Sequence, residues 1–147
     1  MTDLLIWPPL LGVLGMVVAV IIYMIVRSYD PGSEALQKIA DAIHEGAMVF
    51  MKREYTQLAI FASVLVVAIY FSLGSSTAIA FIAGALSSAC AGWFGMYTAT
   101  QANVRTTNAA HTVGQASELS VAFFGGSIMG LAVASLGLIG LGSVDYF

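Results

Sequence analysis

Charge is what this sequence has least of. Only 9% of its 147 residues are Asp, Glu, Lys or Arg, against 59% that are hydrophobic, and a soluble domain of this length would be left with far too little polar surface. The composition therefore excludes an ordinary globular enzyme, and nothing in it suggests nucleic acid as a partner. Cysteine is nearly missing too. Cys90 stands alone inside an apolar segment, so a disulfide framework and a Cys-x-x-Cys metal cluster are both ruled out, and packing is its reading. The formal net charge of −3 says little about partners, because in a membrane protein the placement of the five basic residues matters more than the sum.

What is present is hydrophobic length. Four segments, 4–26, 55–73, 78–97 and 119–141, approach the roughly 20 apolar residues that cross a bilayer core, and each reads as a transmembrane helix. The fold class is all-α, a polytopic membrane protein of four spans forming a single helical unit over 1–147. The first segment differs from a secretory signal: Asp3 replaces a basic n-region, the apolar run is too long, and Arg27 follows it. It reads as a retained span. Arg27, Lys38, Lys52 and Arg53 lie between spans one and two and Arg105 between spans three and four, which places both connections in the cytoplasm and both termini outside. Trp7, Tyr70 and Tyr146 then fall near outer ends, and Tyr29, Tyr55 and Tyr97 near inner ends.

The connection at Gly74, Ser75 and Ser76 is so short that spans two and three form an antiparallel hairpin. Between spans one and two, Asp30-Pro31-Gly32-Ser33 makes a turn, with Ser33 as N-cap of a helix starting at Glu34. From there Leu36, Ile39, Ala40, Ile43, Ala47 and Phe50 recur at helical spacing, opposite Glu34, Lys38, Asp41, Glu45 and Lys52. No break separates this piece from span two, so one long helix projects into the cytoplasm, with Glu34 and Lys38 as an i, i+4 pair. His44, at the edge of the stripe and without a second ligand, reads as an interfacial histidine. Glu54 turns toward the side of Ala47 and Phe50, where it pairs with a cation structurally or takes a catalytic role.

Small residues recur at every fourth position in spans three and four: Gly84, Ser88 and Gly92, then Ala122, Gly126, Gly130 and Ala134. Such ladders let helix backbones approach closely in lipid. Between these spans lies GMYTATQANVRTTNAAHTVGQ, from Gly95 to Gln115. If the third helix continues past the membrane, Gln101, Arg105, Asn108 and Thr112 line one face and Ala102, Ala109 and Ala110 the other. Thr112 and Gln115 also fit a capping box that would start the fourth helix. An exposed stripe of amides with one arginine is able to bind phosphate, although hydrogen bonds to neighbouring helix ends are the commoner use.

Four runs occur in order: GAMVFMKREY (46–55), SSACAGWFGM (87–96), ANVRTTNAA (102–110) and GGSIMGL (125–131). Together they resemble the N-terminal part of the membrane-bound, ion-translocating inorganic pyrophosphatases. The resemblance implies a larger, dimeric enzyme of the bacterial inner membrane that hydrolyses pyrophosphate with magnesium on the cytoplasmic side and pumps protons or sodium outward. It also implies that these helices belong to the outer ring around the catalytic core, with the remaining helices of the pump and the lipid bilayer as partners. The family's magnesium and pyrophosphate site is built from Asp- and Lys-rich motifs that have no counterpart here. The residues lead to the same place, because magnesium pyrophosphate calls for converging carboxylates and lysines and no span contains an Asp, Glu, Lys, Arg or His for an ion relay. No catalytic, substrate-binding or metal-ligating residue is assigned, and the chain reads as a fragment of pump scaffold. The rival is a complete four-helix structural or assembly subunit; a small multidrug-type transporter lacks its membrane-embedded carboxylate.

Overall fold

The computed structural model describes residues 7–144. Asp3, the first residues of span one, and Tyr146 lie outside them. Nearly all of the described chain is in four helices: α1 (Trp7–Ser28), α2 (Glu34–Leu73), α3 (Ser75–Thr112) and α4 (Gln115–Val144). Each is long and apolar enough to cross a membrane, so the chain is an all-α, multi-pass membrane protein. Packing runs α2 on α3, α3 on α4 and α4 on α1, with a weaker α1–α3 contact. The helices thus stand in a row in which α1 and α2, consecutive in sequence, are not neighbours.

α2 is one unbroken helix of 40 residues, about 60 Å at 1.5 Å per residue and twice the hydrocarbon thickness. Ser33 caps it as expected, its Oγ accepting from the Leu36 N–H at 3.4 Å. The hairpin to α3 consists of Gly74 alone, at φ 92° and ψ 174°, a backbone region that only glycine visits without strain.

Several expectations fail here. The ladder Ala122, Gly126, Gly130 and Ala134 is exposed, and a Cβ added at Gly126 or Gly130 would meet nothing within 4 Å. The α4 surfaces in contact carry Val121, Gly125, Ile128, Ala132 and Ser135 instead. A Cβ at Gly125 would stand 2.7 Å from the Ala102 Cβ, and one at Gly12 of α1 would stand 2.7 Å from the Ser135 carbonyl oxygen. Because α4 is apolar all round, spacing alone does not say which small residues face a helix. The capping box does not form: Thr112 is the last residue of α3 and bonds back to the Asn108 carbonyl at 2.8 Å, while Gly114, at φ 111°, starts α4 through its carbonyl. The apolar stripe of α2 is divided. Leu36, Ala40 and Ala47 are half-buried and Met51 is buried, whereas Ile39, Ile43 and Phe50 remain exposed because α3 covers only one edge. Neither the Glu34–Lys38 pair nor an ion pair of Glu54 forms among the described residues.

Candidate functional site

The polar groups that touch one another gather toward one end of the row, where the loop between α1 and α2 meets the last turns of α3. Asp30 closes that loop, its carboxylate accepting from the Gly32 N–H at 2.9 Å. Gln37 Nε2 donates to the Gly32 carbonyl at 2.6 Å, and Asn108 Nδ2 donates to the Asp30 carbonyl at 3.1 Å. Gly32 lies so close to Asn108 that a Cβ there would be 2.7 Å from the amide oxygen. The amide of the expected stripe thus docks a loop against α3, which is the commoner of its two expected uses.

Arg105 departs from the exposed stripe. It is 8% exposed, one helical turn from Gln101, whose backbone carbonyl accepts from its Nη1 at 2.7 Å. The Gln101 side chain is farther, at 3.5 Å. Its Nε is buried without a hydrogen-bond partner among the described residues. Tyr23 and Arg27, both from α1, lie close enough to interact with it electrostatically. Arg105 stands beyond the apolar span of α3, and burial, then the like charge of Arg27, push its guanidinium below the ordinary value. An arginine stays protonated through such a shift, so what changes is the cost of holding the charge there.

A second set of contacts joins α2 to α3. The Thr100 hydroxyl lies 2.9 Å from the Tyr97 carbonyl and 2.6 Å from His44 Nδ1, a hydrogen bond whose direction follows the tautomer of the ring. The His44 ring also meets Tyr97 edge-on at 5.1 Å, and Tyr97 stacks on Trp93 at 5.4 Å. Farther along, the Tyr55 hydroxyl donates to the Ala89 carbonyl at 2.7 Å, and Gly92 leaves room for it, since a Cβ there would lie 2.7 Å from that oxygen. Tyr55 and Tyr97 therefore serve as interhelical contacts. His44 is interfacial as expected; Thr100 and Tyr23 carried no signal beyond helical position. Gly84, Ser88 and Gly92 border a cleft of about 510 Å³ between α3 and α4, together with Met129, Val133 and Gly140.

Among the described residues no three His, Cys, Asp or Glu side chains converge as a metal site requires. The donor set does not fit magnesium, and no hydrolytic step is assigned to these residues.

Residues 13–147 match the family described as inorganic H+ pyrophosphatase. The chain belongs to that family. It is 38% identical over 146 residues to a K(+)-insensitive pyrophosphate-energized proton pump of Methanosarcina mazei, covering 98% of this chain and 22% of that protein. It is 42% identical over 139 residues to K(+)-insensitive pyrophosphate-energized proton pump 2 of Moorella thermoacetica, with 92% and 20% covered. A K(+)-stimulated pyrophosphate-energized sodium pump of Thermotoga maritima is 43% identical over 115 residues, with 75% and 15% covered. The chain thus spans about a fifth of the length of the curated relatives it matches.

Proposed function

We propose that this chain is the N-terminal scaffold of a membrane pyrophosphatase that couples pyrophosphate hydrolysis to outward pumping of protons or sodium, and that alone it neither hydrolyses pyrophosphate nor moves ions. The observation that carries this reading is the identity running along nearly the whole chain while covering a fifth of each pump. Its four helices then correspond to the pump's first four, with both termini outside and the Arg27, Lys38, Lys52, Arg53 and Arg105 end in the cytoplasm. The remaining helices, and a second copy of the whole pump, are the partners this reading requires. Magnesium belongs to the catalytic core built by those helices. The exposed Ile39, Ile43 and Phe50 on α2 supply apolar surface for further helices.

Expressed alone in vesicles, the chain gives no magnesium-dependent phosphate release above background; co-expressed with the C-terminal helices of a relative, it restores release. Phosphate release by this chain alone, abolished by Arg105→Ala or Glu54→Gln, would overturn the reading.

A further inference from the structure

Arg105 is a cation buried at the level where an apolar span ends, and its guanidinium is only partly used. An arginine offers two forks of parallel N–H groups. Here the Gln101 carbonyl engages Nη1, which leaves the fork formed by Nε and Nη2, and Nε has no partner among the described residues. The fork spacing matches two oxygens of one oxyanion.

The surrounding charges point the same way. Arg27, exposed at the end of α1, brings a second guanidinium into electrostatic range, and an anion placed between the two would be attracted to both. Asp30 is turned onto the Gly32 N–H, and Glu34 and Glu118, in the first turns of α2 and α4, form no ion pair with either arginine among the described residues. Arg27 is also the last-turn residue of α1, directly after its apolar run, where a basic side chain attracts anionic headgroups.

We propose that the free edge of Arg105, with Arg27 beside it, receives the phosphate group of an anionic ligand at the membrane boundary. A phosphodiester headgroup and free inorganic phosphate share this chemistry, and the test separates them. The reaching group is the phosphate itself, two of its oxygens on Nε and Nη2 and a third toward Arg27. The loop Tyr29–Ser33, tied to α3 by Asn108, holds the end of α1 beside Arg105.

The 147-residue chain is purified in detergent and titrated in one arm with phosphatidylglycerol and in the other with inorganic phosphate, with bound ligand read by native mass spectrometry and stability by thermal unfolding. Wild type binds one lipid, or is stabilised by phosphate alone, and Arg105→Gln and Arg105→Lys both bind at least about tenfold more weakly, because lysine keeps the charge but loses the fork. Arg27→Gln leaves Arg105 in place and weakens binding in the same direction, which decides the matter if the Arg105 variants do not fold. Lipid binding with no phosphate effect identifies the headgroup as the source; the converse identifies the free ion. Equal binding by wild type and Arg27→Gln, or no effect of either ligand on wild type, overturns the proposal. It is also overturned if Glu118→Gln destabilises the chain and Arg105→Gln rescues it, since Glu118 would then be the counter-ion.

Discussion

Replacing Gly12 by alanine tests what holds α1 to α4. The new Cβ would lie 2.7 Å from the Ser135 carbonyl oxygen and 2.7 Å from Ile139 Cγ1, well inside the roughly 3.5–4.0 Å of ordinary contact. The isoleucine has a rotamer to give; the carbonyl belongs to the α4 backbone, so the helix itself has to move away by about 1 Å. Overpacking of this kind costs about 1–3 kcal/mol. Alanine also gains about 1 kcal/mol of helix propensity over glycine, which would mask part of that cost. Gly126→Ala carries the same gain at an open position of α4 and serves as the reference. In reversible SDS unfolding followed by circular dichroism, Gly12→Ala is expected to fall about 1–3 kcal/mol below Gly126→Ala, and Gly126→Ala to equal or exceed wild type. Equal stability of the two variants, or a greater loss at Gly126, would mean that α4 packs through its regular ladder.

Tyr55→Phe removes the bond to the Ala89 carbonyl and is expected to cost about 0.5–1.5 kcal/mol; Gly92→Ala displaces the same hydroxyl, so the double variant, measured in the same unfolding assay, loses less than the two single losses together. Thr100→Val takes the hydrogen-bond partner from His44 Nδ1 and lowers stability by about 1–3 kcal/mol, a loss that His44→Phe in the same background partly relieves if an unsatisfied ring nitrogen is its cause. In a Cys90→Ala background, a cysteine at Ser75 reacts with an impermeant maleimide added to intact cells and one at Ser33 reacts only after permeabilisation; the reverse pattern ends the positive-inside assignment.

The helices were legible because hydrophobic length and turn chemistry act locally. Ser33 before Glu34, and Gly74 between two apolar runs, set boundaries that no tertiary contact had to supply. The one-residue hairpin also contained the α2–α3 pairing: Tyr55 and Ala89, like His44 and Thr100, lie at similar distances on either side of Gly74. Facing was not legible. In α4 almost every side chain is apolar, and choosing Gly125 over Gly126 as the contact depends on where Ala102 of α3 arrives. Arg105 shows the same limit in a polar setting. Its spacing from Gln101 and Asn108 suggested a solvent-facing stripe, but α1 stands beside α3 there, with Tyr23 packed against the cluster that holds Ala102 and Arg27 within electrostatic range of Arg105. A contact between elements so far apart in sequence leaves no local trace.

Within the bilayer, lipid is as apolar as leucine, so burial provides little drive between helices, and shape and hydrogen bonds must set the register. The two ends of the row meet that requirement differently. α1 and α4 use shape: Gly12 and Gly15 of α1 receive Ser135, and Gly142 of α4 receives Pro9, so the backbones close together along the length of α1. α2 has Met51 as its one buried residue among those described and is fastened to α3 by directional contacts at His44 and Tyr55. Its apolar span from Tyr55 to Leu73 keeps most of its surface free, which costs nothing while lipid or another helix covers it. A bundle closed on its own core would bury side chains from every helix on a shared axis, and here the central cluster of Val26, Ala102 and Ile128 draws on α1, α3 and α4 and leaves α2 out. α2 therefore stands outside the core that the other three share, and the apolar surface it leaves free is what the proposed scaffold role asks of it.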